Sequence, residues 1–89
     1  MWETIPVRKD CDYNRVRQLC GILRDGRGKE LSVAVLKDIE NKSLRYTTYV
    51  QLSRWVNPDR AEARATPIAE AISYELFGVR ISRVKAPGK

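Results

Sequence analysis

The clearest structural signal in the chain is the stretch Thr66-Pro67-Ile68-Ala69-Glu70-Ala71-Ile72-Ser73-Tyr74-Glu75-Leu76-Phe77-Gly78. Threonine is a favourable N-cap, proline is tolerated in the first turn, and Gly78 suits the left-handed residue that ends a helix. The stretch therefore predicts a helix from Pro67 to Phe77. Its apolar residues recur at helical spacing, so one stripe should be buried while Glu70 and Ser73 face water. The predicted buried stripe consists of Ile68, Ala71, Ile72 and Leu76.

The residues upstream of this helix alternate between apolar and polar side chains, which is typical of strands. Leu31 to Val35 and Leu44 to Val56 both show this alternation, and Glu40 to Ser43 between them is rich in turn-forming residues. We therefore expect an antiparallel hairpin over these residues. After the helix, Val79 to Val84 alternates in the same way, so it predicts a further strand that ends at Pro87-Gly88.

The stretch from Tyr13 to Arg24 fits either a helix or a strand. A helix would bury a face made of Val16, Leu19, Cys20 and Leu23. A strand would bury a face made of Val16, Gln18, Cys20 and Ile22. The strand is favoured because Gly21 is unfavourable inside a helix and because Asp25 to Gly28 is rich in residues that turn a hairpin.

These elements together predict an α+β fold with an antiparallel β-meander of about three strands, one helix packed on the sheet, and a final C-terminal strand. A chain of 89 residues leaves room for a single small domain. Asn57-Pro58-Asp59 is typical of a helix cap, so Pro58 to Arg64 should add a short helical turn or an ordered loop. Lys85 to Lys89 should form a flexible tail.

The composition argues against several classes of protein. No stretch approaches the roughly 20 apolar residues that cross a bilayer, and the first residues lack the layout of a secretory signal. Histidine is absent and cysteine occurs only at Cys11 and Cys20, too few ligands for a tetrahedral zinc site. We therefore expect a cytoplasmic protein with free thiols, without a metal, a cofactor or a membrane partner.

The sequence also predicts that the chain is not an enzyme. The absence of histidine removes the commonest general acid or base and every Ser-His or Cys-His nucleophile. Asp10-Cys11-Asp12-Tyr13-Asn14 begins like a calcium loop, but Arg15 and Gly21 stand where that loop requires glycine and glutamate. Asp10 and Asp12 are therefore interpreted as turn or capping residues.

The charge of the chain favours an anionic partner. Seventeen cations stand against eleven acids, which gives a net charge of +6, and eleven of the cations are arginine. Because the guanidinium fork pairs well with phosphate, the leading hypothesis is a small module that contacts the phosphate backbone of DNA or RNA. The predicted contact residues are Arg24, Arg27, Lys29, Arg45, Tyr49, Arg54, Trp55, Arg80 and Arg83.

Three of these residues share one face of the predicted strand Leu44 to Val56. Arg45, Tyr49 and Trp55 would project from the side of the sheet opposite the helix, where the two rings could stack on bases. The same rings could instead pack against a neighbouring strand. The alternative function is a protein-binding adaptor or inhibitor, of the kind that a phage or mobile element encodes, directed at an acidic or nucleic-acid-binding site. An exposed edge strand would also allow a homodimer.

Overall fold

The chain is predominantly helical over the residues that its computed structural model describes, which are 3–24, 26–58 and 65–84. These residues form four helices and two short strands. The helices are α1 (Tyr13–Ile22), α2 (Gly26–Ile39), α3 (Tyr46–Val56) and α4 (Thr66–Phe77), and the strands are β1 (Thr4–Pro6) and β2 (Ser43–Arg45). The α+β fold with a three-stranded meander and a C-terminal strand, predicted from the sequence, is therefore wrong.

The four helices form a closed ring of contacts. α1 packs against α2 and α4, and α3 packs against the same two helices. Each helix turns its apolar stripe inward, so the side chains meet in one core. Fully buried members of this core are Val16 from α1, Leu31 and Val35 from α2, Leu52 and Val56 from α3, and Ile72 and Leu76 from α4.

The two strands form a small antiparallel ribbon beside this core. Ile5 of β1 lies opposite the fully buried Leu44 of β2. The turn predicted at Glu40 to Ser43 exists, with Lys42 in the left-handed region at φ 59°, but it leads from α2 into β2. The strand predicted from Leu44 to Val56 is wrong beyond Arg45, because α3 begins at the next residue.

The ambiguous stretch from Tyr13 to Arg24 forms α1, so the preferred strand is wrong. Asp12 caps this helix, since its Oδ1 accepts a hydrogen bond of 3.2 Å from the backbone N–H of Arg15. This confirms the capping role predicted for Asp12. Gly26, at φ 48°, opens α2, so the expected hairpin turn is the junction of two helices.

The strand predicted at Leu31 to Val35 is also wrong, because these residues lie in the middle of α2. The side chains that α2 buries, which include Leu31, Ser32, Val35 and Ile39, follow the helical period. Val33, which the strand prediction paired with Leu31 and Val35, is 55% exposed. The Ser32 hydroxyl donates to the Cys20 carbonyl at 2.9 Å, which joins α2 to α1.

The helix predicted from Pro67 to Phe77 is confirmed as α4, and Gly78 ends it in the left-handed conformation at φ 76°. Three details of that prediction are wrong. Of the predicted buried stripe, Ile68 and Ala71 are only partly buried, whereas Ala69, which was not included in it, is fully buried. The N-cap position belongs to Ala65, and the Thr66 hydroxyl donates to the Trp55 carbonyl at 3.2 Å instead. Ser73, which was expected to face water, is fully buried.

Residues 79–84 run without regular secondary structure, so the strand predicted there is wrong. Their backbone is held by serine hydroxyls instead of a neighbouring strand. The Ser73 hydroxyl donates to the Val79 carbonyl at 2.6 Å and accepts from the Ile81 N–H at 3.0 Å. The Ser53 hydroxyl accepts from the Val84 N–H at 3.1 Å. Ile81 is buried in the core at this point.

The segment before α1 is fastened to the end of α4. The Arg8 N–H donates to the Leu76 carbonyl at 2.9 Å, and its guanidinium reaches both the carbonyl and the carboxylate of Glu75. The same Glu75 carboxylate accepts from the Asp12 N–H at 2.9 Å. One acidic side chain therefore fixes the entry into α1 against the C-terminal turn of α4.

Two predictions concern residues beyond this description. The turn predicted for Pro58 to Arg64, apart from Pro58 itself, and the tail predicted for Lys85 to Lys89 lie outside the described residues. Within residues 3–24, 26–58 and 65–84, no helix combines the length and the apolar character that crossing a bilayer requires.

Candidate nucleic-acid interface

The junction of α1 and α2 meets the C-terminal end of α3. Gly28, buried in the first turn of α2, marks the contact: a Cβ added there would lie 3.6 Å from the Leu23 Cβ and 3.8 Å from the Trp55 Cη2. The predicted contact residues Arg27 and Lys29 flank this glycine and are exposed. The tip of the half-buried Trp55 ring therefore lies against Gly28, between two residues that carry cations.

Arg80 and Arg83 lie at the same end of α3 but act on its backbone. Arg80 donates to the Val56 carbonyl at 2.9 Å, to the Asn57 side-chain carbonyl at 2.8 Å and to the Glu70 carboxylate at 2.7 Å. Arg83 donates to the Asn57 carbonyl at 2.9 Å. Cations at a helix C-terminus stabilise the carbonyls that the last turn leaves unpaired. These contacts give Arg80 a structural role, and the Glu70 carboxylate offsets its charge.

Arg45 and Tyr49 lie apart from the junction. α3 runs for about 16 Å from Tyr46 to Val56, so Arg45 and Trp55 are at opposite ends of this helix. The N–H and the guanidinium of Arg45 donate to the two oxygens of Asp38, at 3.0 and 2.9 Å. The ring of Tyr49 packs edge-on against Phe77, with 5.3 Å between the centroids.

The single aromatic and basic face expected from the strand Leu44 to Val56 is therefore not formed. That face required side chains two residues apart to point the same way, whereas a helix turns them by about 200°. Of the remaining predicted contacts on α3, Arg54 is exposed, one residue before Trp55. The structure thus brings Arg24, Arg27, Lys29 and Trp55 together and separates Arg45 and Tyr49 from them.

Sequence reasoning missed a basic face on α1. Between Tyr13 and Arg24 the chain carries three arginines and no acid. The Arg17 guanidinium bonds the neutral Asn14 Oδ1 at 2.9 Å, and that of Arg24 bonds the neutral Gly21 carbonyl at 3.3 Å, so both positive charges remain. We name as the basic surface the exposed cations Arg15, Arg17, Arg24 and Lys29.

The side chains of the basic surface are not held in ion pairs by the described acids. Arg15, Arg17, Arg24 and Lys29 form no ion pair with a carboxylate among the described residues. The acids that do form ion pairs there are taken by Arg8, Arg45 and Arg80. The absence of acids between Tyr13 and Arg24 is visible in the sequence and could have indicated a basic surface. The predicted strand, however, would have placed Arg15 and Arg17 on one face and Arg24 on the other.

Gly21 is an exposed glycine on this basic face that the fold does not require. Its φ is not in the left-handed region, and a Cβ added there would meet no atom within 4 Å. Glycine within a helix costs roughly 0.5–1 kcal/mol relative to alanine. Internal packing and backbone conformation therefore give no reason for glycine at this position.

The acids of the incomplete calcium loop are engaged in structure, and both cysteine thiols are buried. Asp12 caps α1, and Asp10 forms an ion pair with Arg8 at 3.4 Å. Burial raises the pKa of the Cys20 thiol to about 11, more than the Ser32 hydroxyl lowers it. Burial likewise raises the pKa of Cys11, helped by the nearby carboxylate of Glu75. Both thiols are therefore poor nucleophiles at neutral pH.

Metal-binding groups and relatives give no further guide to function. Over the described ranges, no three histidine, cysteine, aspartate or glutamate side chains lie close enough together to hold a metal ion. No protein-family model matches the chain, and neither does any curated protein or any solved structure.

Proposed function

We propose that this chain is a non-enzymatic module that binds nucleic acid, mainly through phosphates, with the basic surface as its contact. The observation that carries the proposal is the set of exposed cations on α1 and its junction with α2 that form no ion pair with a described carboxylate. Arginines without a carboxylate partner keep their charge and most of their hydrogen-bond donors available for phosphate oxygens. The net charge of +6 adds a long-range attraction for a polyanion.

The edge of Trp55 supports the same proposal in a smaller way. The ring is half-buried and packs against the core, so only part of it is open to a partner. Its position beside Lys29 places an apolar surface next to cations, an arrangement that suits a sugar or a base edge beside its phosphate. The phosphate contacts would therefore dominate affinity.

The experiment is a titration of fluorescently labelled DNA and RNA, each single-stranded and double-stranded, at several salt concentrations. Binding through phosphates releases counterions, so the logarithm of the binding constant should fall linearly with the logarithm of salt concentration. Affinity that is weak at low salt and does not decline as salt increases would overturn the proposal for all four probes.

A pair of charge-matched variants identifies the surface. Arg24→Gln with Lys29→Gln removes two cations of the basic surface, and we expect about tenfold weaker binding with a salt slope smaller by about 1.8. Lys37→Gln with Lys42→Asn removes the same charge at the other end of α2, and asparagine tolerates the positive φ of Lys42. Equal losses in the two double variants would show that only net charge matters and would exclude the basic surface.

A second candidate function rests on exposed apolar side chains near the end of α4. Tyr74 is 51% exposed and Val79 is 55% exposed, on either side of Gly78. Exposed aromatic residues are common anchors in protein interfaces, which favours the adaptor or inhibitor alternative. This alternative predicts a stoichiometric complex with a protein that survives nuclease treatment, and Tyr74→Ala with Val79→Ser should abolish that complex. A complex that nuclease treatment destroys would favour nucleic acid as the partner.

A further inference from the structure

The outer face of α1 carries a polar stripe that ends at a glycine, which has no side chain. Asn14, Gln18 and Gly21 recur at helical spacing on the side away from the core, and all three are exposed. Because successive residues are turned by about 100°, Arg15 and Arg17 project to opposite sides of this stripe. The face therefore has amides along its centre, an arginine on each flank and no acid.

Each feature of this face matches one feature of a DNA groove. Asparagine and glutamine amides pair bidentately with the edge of adenine, and arginine binds both guanine edges and phosphates. An α-helix is about 10–12 Å across, which fits the major groove of B-form DNA at about 12 Å wide. At Gly21 the helix is at its thinnest, and a Cβ there would project into open space.

We infer that α1 lies in the major groove of double-stranded DNA, with Asn14 and Gln18 toward the base edges and Gly21 at the closest approach. Arg17 then exchanges its exposed hydrogen bond to the Asn14 Oδ1 for the phosphates of one groove wall, which frees Asn14 for a base. Arg15 reaches the phosphates of the other wall, and Arg24 and Lys29 extend these contacts beyond the end of α1. This inference rests on the proposed function and names its substrate and its reading face. Double-stranded RNA is excluded as the partner because its major groove is too deep and narrow for a helix.

The decisive experiment adds bulk at Gly21 and measures binding to a labelled mixed-sequence DNA duplex of about 20 base pairs, two turns of the helix. Gly21→Leu should weaken binding about tenfold, because the side chain fills the space that the groove floor would occupy. Val33→Leu is the control, since it places leucine at an exposed position of α2 without a change of charge. Circular dichroism verifies that both variants remain folded.

A second set of variants tests the reading of bases. After selection of preferred duplexes from a random pool, Asn14→Ala with Gln18→Ala should abolish the preference over the mixed-sequence duplex and leave the salt slope unchanged. Arg15→Gln with Arg17→Gln should weaken binding to both duplexes equally and reduce the salt slope by about 1.8. The two double variants thus separate recognition of bases from contact with phosphates.

The inference and the proposed function fail in different ways. If Gly21→Leu binds the duplex as tightly as Val33→Leu does, α1 is not in the groove, even where Arg24→Gln with Lys29→Gln still weakens binding. If double-stranded RNA or a single strand competes as well as the DNA duplex, the groove assignment is also overturned. If the unaltered chain binds none of these nucleic acids, the proposed function fails and this inference fails with it.

Discussion

Replacing Ser73 by alanine should destabilise the protein strongly for such a small change. The side chain is fully buried, and its hydroxyl makes hydrogen bonds of 2.6 Å to the Val79 carbonyl and 3.0 Å to the Ile81 N–H. Each hydrogen bond contributes about 1 kcal/mol net, and leaving the buried N–H of Ile81 unpaired adds a desolvation cost of about 1 kcal/mol or more. The better helix propensity of alanine offsets about 0.5 kcal/mol.

We therefore expect Ser73→Ala to lower the free energy of unfolding by about 2 kcal/mol. In a domain of this size that corresponds to a fall in Tm of about 8–16 °C. Urea and thermal unfolding followed by circular dichroism measure both quantities. Ser82→Ala is the matched control, because Ser82 is exposed in the same segment, and its effect should stay within about 0.5 kcal/mol. Equal stability of the two variants would refute the claim that Ser73 anchors residues 79–84.

Three further predictions concern packing, pH and charge. Gly28→Ala should leave stability unchanged or raise it by up to about 1 kcal/mol, because the new Cβ would make ordinary contacts, 3.8 Å from Trp55; a clear loss in urea titrations would contradict this. The pKa of Cys20 is about 11 in the folded protein against an ordinary 9.0, so the unfolded chain loses its proton first. Stability from this group is complete below pH 9 and falls by about 2–3 kcal/mol as the pH rises to 11, and Cys20→Ala should lack this fall. Arg80→Gln should lower Tm through the lost contacts with Val56 and Glu70 yet leave the salt slope of nucleic-acid binding unchanged; a smaller slope would mean that Arg80 touches phosphate.

The part of the fold that the sequence predicted correctly is the part with explicit end signals. In α4 a proline in the first turn and Gly78 after the last turn agree with the apolar spacing, so local chemistry alone defines the helix. Asp12 was interpreted as a turn or capping residue because the calcium-loop pattern is incomplete, and it does cap α1, although the stretch after it was predicted as a strand. Without such signals, α2 and α3 were misinterpreted.

Buried hydroxyl residues hid the helical pattern of α2 and α3. Ser32, Thr48 and Ser53 are all buried, so they belong to the inward stripes of their helices. Counted as polar, they break the helical period and leave an apparent alternation of apolar and polar residues. The hydroxyls of Ser32 and Ser53 donate hydrogen bonds to backbone carbonyls, which offsets the free-energy cost of burying them.

The candidate site was predictable in charge but not in arrangement. The cations at the junction of α1 and α2 are exposed, as expected, because they flank a glycine-rich link. This holds whether the link is the predicted hairpin turn or the observed junction of two helices. Arg45 and Arg80 were expected to contact a partner, but Asp38 and Glu70 reach them through contacts between elements that sequence spacing does not reveal. In the helix α1, Arg15 and Arg17 lie on opposite sides of the exposed stripe, whereas the predicted strand would have placed both on one face.

The attachment of Arg8 to Glu75 sets the order in which the protein can acquire structure. This contact joins residues 67 positions apart, so the ring of helices closes only when α4 has been made. Until then, α1 can pack only against α2 and lacks its contact with α4. Domains with such distant pairings fold more slowly than helical domains held by neighbouring contacts. During synthesis the ring of helices should therefore close only when α4 has left the ribosome.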